Sequence, residues 1–233
     1  MSKSTIAVIG GKLQGTEAAY LARKAGLRVV LVDAQARVPA RGLCDSFVQA
    51  DVLQKGFLSD LSREADFIIP ALENEQTLDG MQEAAGNLNC PIAFDFEAYH
   101  ISSSKKASNR LFAALGLLCP DPWPGCGFPV LAKPVSASGS SGVRIFKTRQ
   151  ELDRHFQREA GEQWVLQEYV PGPSYSLEVL GCKGRFVSLA VTDLDMDEQH
   201  DCCRVTAPTV LDPALTETFR SVSEKIAAAL TLT

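Results

Sequence analysis

Short apolar runs alternate with helical segments through residues 1–94, and this alternation leaves few folds open. Ile6–Ile9, Val29–Asp33, Phe47–Ala50, Phe67–Pro70 and Pro91–Phe94 read as five strands. Between them, Gln14–Ala25, Gln54–Arg63 and Gln76–Gly86 read as helices, and Gly26 ends the first in the usual C-terminal position. Strands that are apolar throughout are covered on both faces, which implies a parallel sheet. Right-handed crossovers then make a doubly wound α/β domain.

The second half reads differently. A helix is expected over Ser102–Leu115, with Ser102 or Ser103 as its cap, and the prolines and glycine of Cys119–Gly125 mark a connection between units. From Phe128 to Val170 the order is strand, small-residue loop, strand (Val143–Phe146), helix (Gln150–Glu159), strand (Trp164–Tyr169). Tyr175–Gly181 and Phe186–Val191 alternate like strands of an antiparallel sheet. The acidic stretch Asp193–Glu198 reads as a solvated loop, since it lacks the glycine and terminal glutamate of a calcium loop. Pro213–Leu230 reads as a final helix whose apolar end, Ala227–Leu230, is expected to be buried.

Composition narrows the function. A net charge of −5 over 233 residues argues against a nucleic-acid surface. No apolar run reaches the length of a membrane span, and Ile6–Ile9 is too short for a signal-peptide core. Seven scattered cysteines without a C-x-x-C pair point to reduced thiols and a cytoplasmic protein. The three histidines have no zinc-ligand spacing.

The chemistry concentrates around Lys133. It stands in an apolar strand, Pro129–Pro134, where an uncompensated ammonium is costly and a phosphate would neutralise it. A lysine snorkelling from a strand edge would give the same pattern. The loop Ser136–Val143 follows, with glycines and several N–H groups able to wrap a triphosphate. Glu168, Tyr169 and Val170 end a strand whose backbone suits a purine edge. Ser176 and Glu178 share one strand face, which fits either a site or an exposed sheet surface. Gly10–Gly15 after the first strand, with Asp33 ending the second, is similar to a dinucleotide fingerprint, but Lys12 occupies the place of the middle glycine. The turn remains a good anion seat at a helix N-terminus. A dehydrogenase of the Rossmann type therefore stays open as a weaker reading.

Lys133, the glycine loop and the strand ending Gln167–Gly172 resemble the ATP-grasp ligases. Further strings narrow the likeness to the ATP-grasp ligases of pyrrolysine biosynthesis: Gly10–Gly15 with Glu17–Leu21, Glu73–Glu75, Phe94–Tyr99, Glu168–Val170, Ser176–Val179, Asp201–Cys202 and Val205–Thr206. The resemblance implies a Rossmann-like, pre-ATP-grasp parallel sheet over 1–94. It implies an incomplete ATP-grasp α+β region over 95–233, with a small nucleotide clamp at about 126–172. It implies ATP and Mg2+ as cofactors. The implied reaction joins 3-methyl-D-ornithine to L-lysine through an acyl phosphate, a carbon–nitrogen ligation.

Carried onto this chain, Lys105 and Lys133 meet the phosphates. Ser138, Gly139, Ser140, Ser141 and Gly142 form the lid, and Glu168, Tyr169 and Val170 hold adenine. Ser174 replaces a ribose-binding glutamate. Lys12, Leu13, Gln14, Glu73, Asn74, Ser176, Glu178 and Asp201 hold the amino-acid substrates. The metal carboxylates are expected beyond Thr233, so the resemblance implies a fragment, a shortened gene product or half of a split enzyme, completed by a second polypeptide or present as a homodimer. A non-catalytic nucleotide- or amino-acid-binding remnant is the alternative.

Overall fold

A computed structural model describes residues 3–135, 140–157, 163–182, 185–198 and 200–232. The chain divides into two compact units, Met1–Phe96 and Glu97–Thr233.

In the first unit, β1 (Thr5–Ile9), β2 (Arg28–Asp33), β3 (Ser46–Gln49) and β4 (Phe67–Pro70) form a parallel sheet in the order β3-β2-β1-β4. Helix α1 (Leu13–Lys24) connects β1 to β2, a short 3-10 turn at Pro39–Leu43 lies between β2 and β3, α2 (Phe57–Glu64) connects β3 to β4, and α3 (Glu75–Ala85) follows β4. Alternate strand residues feed two cores. Ala7, Ile9, Val30, Val32 and Ile68 pack with Leu58, Leu61 and Met81 of α2 and α3. Ile6, Val8, Val29 and Leu31 pack with Ala19 and Ala22 of α1. The apolar strand runs are thus explained by burial on both faces.

The expected fifth strand is reduced to a single parallel bridge, Ile68 to Ile92. The Pro91 carbonyl accepts from the Ile68 N–H and the Ala93 N–H donates to the Ile68 carbonyl, as in a strand. Pairing goes no further before the chain turns into α4 (Phe96–Ser103).

The second unit contains α5 (Lys105–Ala114) and two three-stranded antiparallel sheets. One has the order β6-β5-β7, from β5 (Val130–Pro134), β6 (Arg144–Phe146) and β7 (Trp164–Glu168). The other has the order β10-β9-β8, from β8 (Ser174–Cys182), β9 (Arg185–Met196) and β10 (Cys202–Thr206). Ser104 separates α4 from α5 and caps the latter, its hydroxyl accepting from the Ala107 N–H, so the one expected helix is two and the cap lies one or two residues later. Helix α6 (Arg149–Phe156) starts at Thr148, which accepts from the Glu151 N–H, while the Glu151 carboxylate accepts from the Lys147 N–H. This is close to a capping box. Its far end packs Phe156 beside Ala132, Phe146, Leu152 and Trp164.

Two expectations need correction. Asp193–Met196 belongs to β9 rather than to a loop, because it pairs with β10 across Asp193–Thr206 and Asp195–Arg204. The side chain of Asp193 also accepts from the Val210 N–H. At the end of α7 (Pro213–Ala229), Ala227 is buried, whereas Ala228 and Ala229 are exposed. Helix α7 lies on one face of β8 and β9, so only one side of its last turn meets the sheet.

Candidate functional site

Strand β5 places Lys133 by a simple parity. Its antiparallel register pairs Leu131 with Gln167 and Lys133 with Val165. Paired residues share a face, so Lys133, Leu131, Ile145, Val165 and Gln167 lie on one side. The other side carries Ala132, Phe146, Trp164 and Leu166, the aromatic core. The clamp sheet thus spends one face on packing and leaves Lys133 on the opposite one.

Lys105 joins it from the first residue of α5, whose N–H donates to the Val135 carbonyl at the end of β5, 3.4 Å away. Burial lowers the Lys105 pKa. Burial also lowers that of Lys133, and repulsion from the Lys105 ammonium lowers it further. Two cations brought together with this cost make a seat for a polyanion.

Gln167, on the same face as Lys133, is a candidate that the sequence reading missed. The residue is only 7% exposed, and among the described residues its Oε1 has no hydrogen-bond partner. A buried acceptor left unpaired costs about 1–3 kcal/mol. The available signal was a lone polar side chain among the apolar residues of Trp164–Leu166.

The strand end behind it is partly used by the protein. The Glu168 N–H donates to the Asp121 carbonyl (2.8 Å) and the Tyr169 N–H to the Pro129 carbonyl (3.1 Å). The Tyr169 carbonyl faces Pro129, which has no N–H to offer in return. Among the described hydrogen bonds, the Val170 N–H has no acceptor. Among the described hydrogen bonds the Glu168 carbonyl has no donor either, and it lies on the same side of the strand as the Val170 N–H, so a carbonyl and an N–H two residues apart remain at this edge.

Of the expected lid, Ser138 and Gly139 lie outside the described residues. Ser140, Ser141 and Gly142 make a turn closed by the Val143 N–H on the Ser140 carbonyl (3.1 Å). Gly142 has φ +78°, and a Cβ there would stand 2.9 Å from Pro134 Cγ, so the turn needs glycine. The Ser140 hydroxyl donates to the His200 carbonyl. Together these residues border a cavity of about 580 Å³ with Glu198, His200 and Asp201.

Asp201 sits in the β9–β10 turn. Its N–H donates to Asp197 Oδ1 (2.9 Å), and its own Oδ1 accepts from the Cys202 N–H (3.0 Å). Ser176 and Glu178 lie on β8, where the register with β9 shifts between Leu177 and Val179, so the shared face expected from simple alternation is interrupted there. Ser176 shares a hydrogen bond with Thr192 (2.7 Å), and Glu178 is exposed.

In the first unit the chain order reverses at β1, with β2 on one side and β4 on the other. Ligands of open α/β sheets sit beyond the strand ends at such a point. Lys12, Leu13 and Gln14 follow β1 there, and Glu73 and Asn74 follow β4. Gln14 Nε2 donates to Glu73 Oε1 (2.8 Å), and the Asn74 side chain caps α3 by accepting from the Thr77 N–H (2.8 Å). The Asp33 carboxylate holds the turn itself, accepting from the Gly11 N–H (2.8 Å) and the Gln35 N–H (2.7 Å). The acid that a dinucleotide ribose would require is thereby committed to the protein's own backbone. Among the described residues, no three histidine, cysteine, aspartate or glutamate side chains cluster as metal ligands, and no helix is long and apolar enough to cross a membrane.

Comparison with known proteins follows the same lines. The pattern of the ATP-grasp domain matches residues 103–232. The 3-methyl-D-ornithine–L-lysine ligase of Methanosarcina mazei is 37% identical over 232 residues, covering 99% of this chain and 60% of the relative. The ligase of the same name from Methanosarcina acetivorans is 38% identical over 229 residues, covering 98% and 60%. The chain thus spans about 60% of the length of the curated relatives it matches. An ADP complex of N5-carboxyaminoimidazole ribonucleotide synthetase is similar in fold, with a TM-score of 0.83 at 15% identity over 100% of this chain and 64% of the other. An L-amino acid ligase from Bacillus licheniformis gives 0.71 at 18% identity over 99% and 61%.

Proposed function

Because this chain belongs to the ATP-grasp family, we propose that it serves an ATP-dependent ligase joining the carboxylate of 3-methyl-D-ornithine to an amine of L-lysine. The observation that carries the nucleotide part is the pairing of Lys105 with Lys133 on a clamp face that keeps Lys133 out of the aromatic core. The substrate assignment is supported by the likeness to the Methanosarcina ligases.

In this reading the two ammonium groups hold the phosphates, and Ser140–Gly142 closes over them. The Glu168 carbonyl accepts from the exocyclic amine of adenine and the Val170 N–H, on the same side of the strand, donates to a ring nitrogen, while Gln167 Oε1 accepts from the same amine. The remaining lid residues, Ser138 and Gly139, and the hinge residue Glu168 belong to the same assignment. A carboxylate oxygen of the ornithine attacks the terminal phosphorus, and ADP leaves. The lysine amine then attacks the acyl phosphate carbon, loses a proton, and phosphate departs. Lys105 and Lys133 stabilise the charge that moves onto the phosphate oxygens. Ser176, Glu178 and Asp201 are assigned to the substrates' ammonium groups, as are Lys12, Leu13, Gln14, Glu73 and Asn74 at the crevice of the parallel sheet. Mg2+ belongs to the proposal through the family. The described residues offer it no ligand cluster, so no residue is assigned to it and no step rests on it.

Equilibrium competition tests the reading. ATP is expected to displace a fluorescent adenine nucleotide while NADH does not. Release of ADP that depends on both D-ornithine and lysine separates a ligase from a nucleotide-binding remnant. Equal displacement by NADH would sink the assignment.

A further inference from the structure

Among the cysteines whose side chains are described, Cys202 and Cys203 are the two exposed ones, and they are consecutive. On a regular strand, neighbouring side chains point to opposite faces and their sulfurs stay apart. Here the ladder is broken at that place. Cys202 pairs with Met196 and Arg204 with Asp195, so Cys203 is the extra residue of a bulge. A bulge re-aims its side chains and leaves one residue free of pairing. Nothing in the strand ladder therefore holds the two thiols on opposite faces. Among the described residues each thiol donates to a carbonyl, Cys203 Sγ to that of Asp195 (3.2 Å) and Cys202 Sγ to that of Arg204 (3.6 Å). Burial pushes the thiols of Cys44 and Cys90 up, away from the reactive thiolate.

We propose that Cys202 and Cys203 form a thiol–disulfide exchange site that a low-molecular-weight disulfide oxidises to a bond between the two neighbours. One cysteine thiolate attacks a sulfur of the small disulfide, and its partner sulfur leaves as a thiol carrying the cysteine's proton. The second cysteine then attacks the protein-side sulfur of the mixed disulfide. The second small thiol departs with the second proton. Two cysteine sulfurs are oxidised and one small disulfide becomes two thiols.

The consequence reaches the neighbouring carboxylate. The ring would close through the Cys202–Cys203 peptide and take in the Cα of Cys202, whose own N–H, just outside the ring, donates to Asp201 Oδ1. That coupling to ligand binding rests on the proposed role of Asp201.

The test is equilibration of the chain with oxidised glutathione, followed by peptide mass analysis. The peptide carrying both cysteines is expected to lose two hydrogen atoms and keep no adduct. The C203S variant is expected to retain one glutathione on Cys202. Two wild-type outcomes overturn the site: a stable glutathione adduct, or both thiols still open to alkylation. If the bond forms and amino-acid binding is unchanged, the exchange site stands and its coupling to Asp201 fails.

Discussion

Lys133 is held below the ordinary lysine value of 10.5, first by its partial burial and second by the ammonium of Lys105. Burial lowers Lys105 as well. Each proton is therefore bound less tightly in the folded chain than in the unfolded one. Below the folded pKa values the charged pair weakens the fold. Stability should rise as pH climbs from those values toward 10.5, because the unfolded chain binds more protons in that interval. A polyphosphate reverses the sign, since it favours the charged lysines. ATP binding at mildly alkaline pH should thus take up protons, measurable by calorimetry in buffers of different ionisation heat. Binding without uptake would contradict a phosphate seat at this pair.

Lys133→Met separates binding from folding. It removes a charge-assisted contact to phosphate, which costs about 10- to 100-fold in ATP affinity. It also removes the partly buried charge, so the unliganded chain should unfold at the same or higher denaturant concentration. Unchanged ATP affinity would place the phosphates elsewhere.

Gln167→Leu tests the orphan acceptor. The swap replaces an unpaired buried carbonyl by an apolar group of similar size, so the free chain should gain about 1 kcal/mol in urea unfolding. If Gln167 accepts from the adenine amine, the same change should lower ATP affinity about tenfold. It should also narrow the gap between ATP and inosine triphosphate, whose base carries an oxygen in place of that amine. A variant that binds both nucleotides as wild type does would leave Gln167 as packing alone.

How much of this was legible in the chain differs by region. The four paired parallel strands could be read because Ile6–Ile9 or Val29–Val32 is apolar at every position, which only a sheet covered on both faces demands. The fifth was over-read. Pro91–Phe94 has the composition of a strand, but its pairing stops after one bridge. The acidic run Asp193–Met196 looked solvated because sequence shows charge and not partners, yet the partners include Arg204 on the next strand. Lys133 was visible as a cation among apolar residues. Gln167 was not, because its meaning lies in strand parity and in a missing partner.

The glycine turn after β1 gives the sharpest stability prediction. A Cβ on Gly15 would stand 1.9 Å from the Gly10 carbonyl oxygen, well inside contact distance. Gly10 itself has φ +98° and lies against the Ala71 carbonyl, so it cannot retreat easily. The clash falls between backbone atoms, where no rotamer change relieves it. Gly15→Ala should therefore destabilise the first unit by about 3 kcal/mol or more, although alanine is the better helix former. Gly86→Ala has open space around its Cβ and a helical φ of −66°, and serves as the control expected near wild type. Chemical denaturation of the two variants side by side checks the difference. A Gly15→Ala chain as stable as the control would mean that this turn opens at little cost, and with it the crevice where Lys12, Leu13 and Gln14 begin α1.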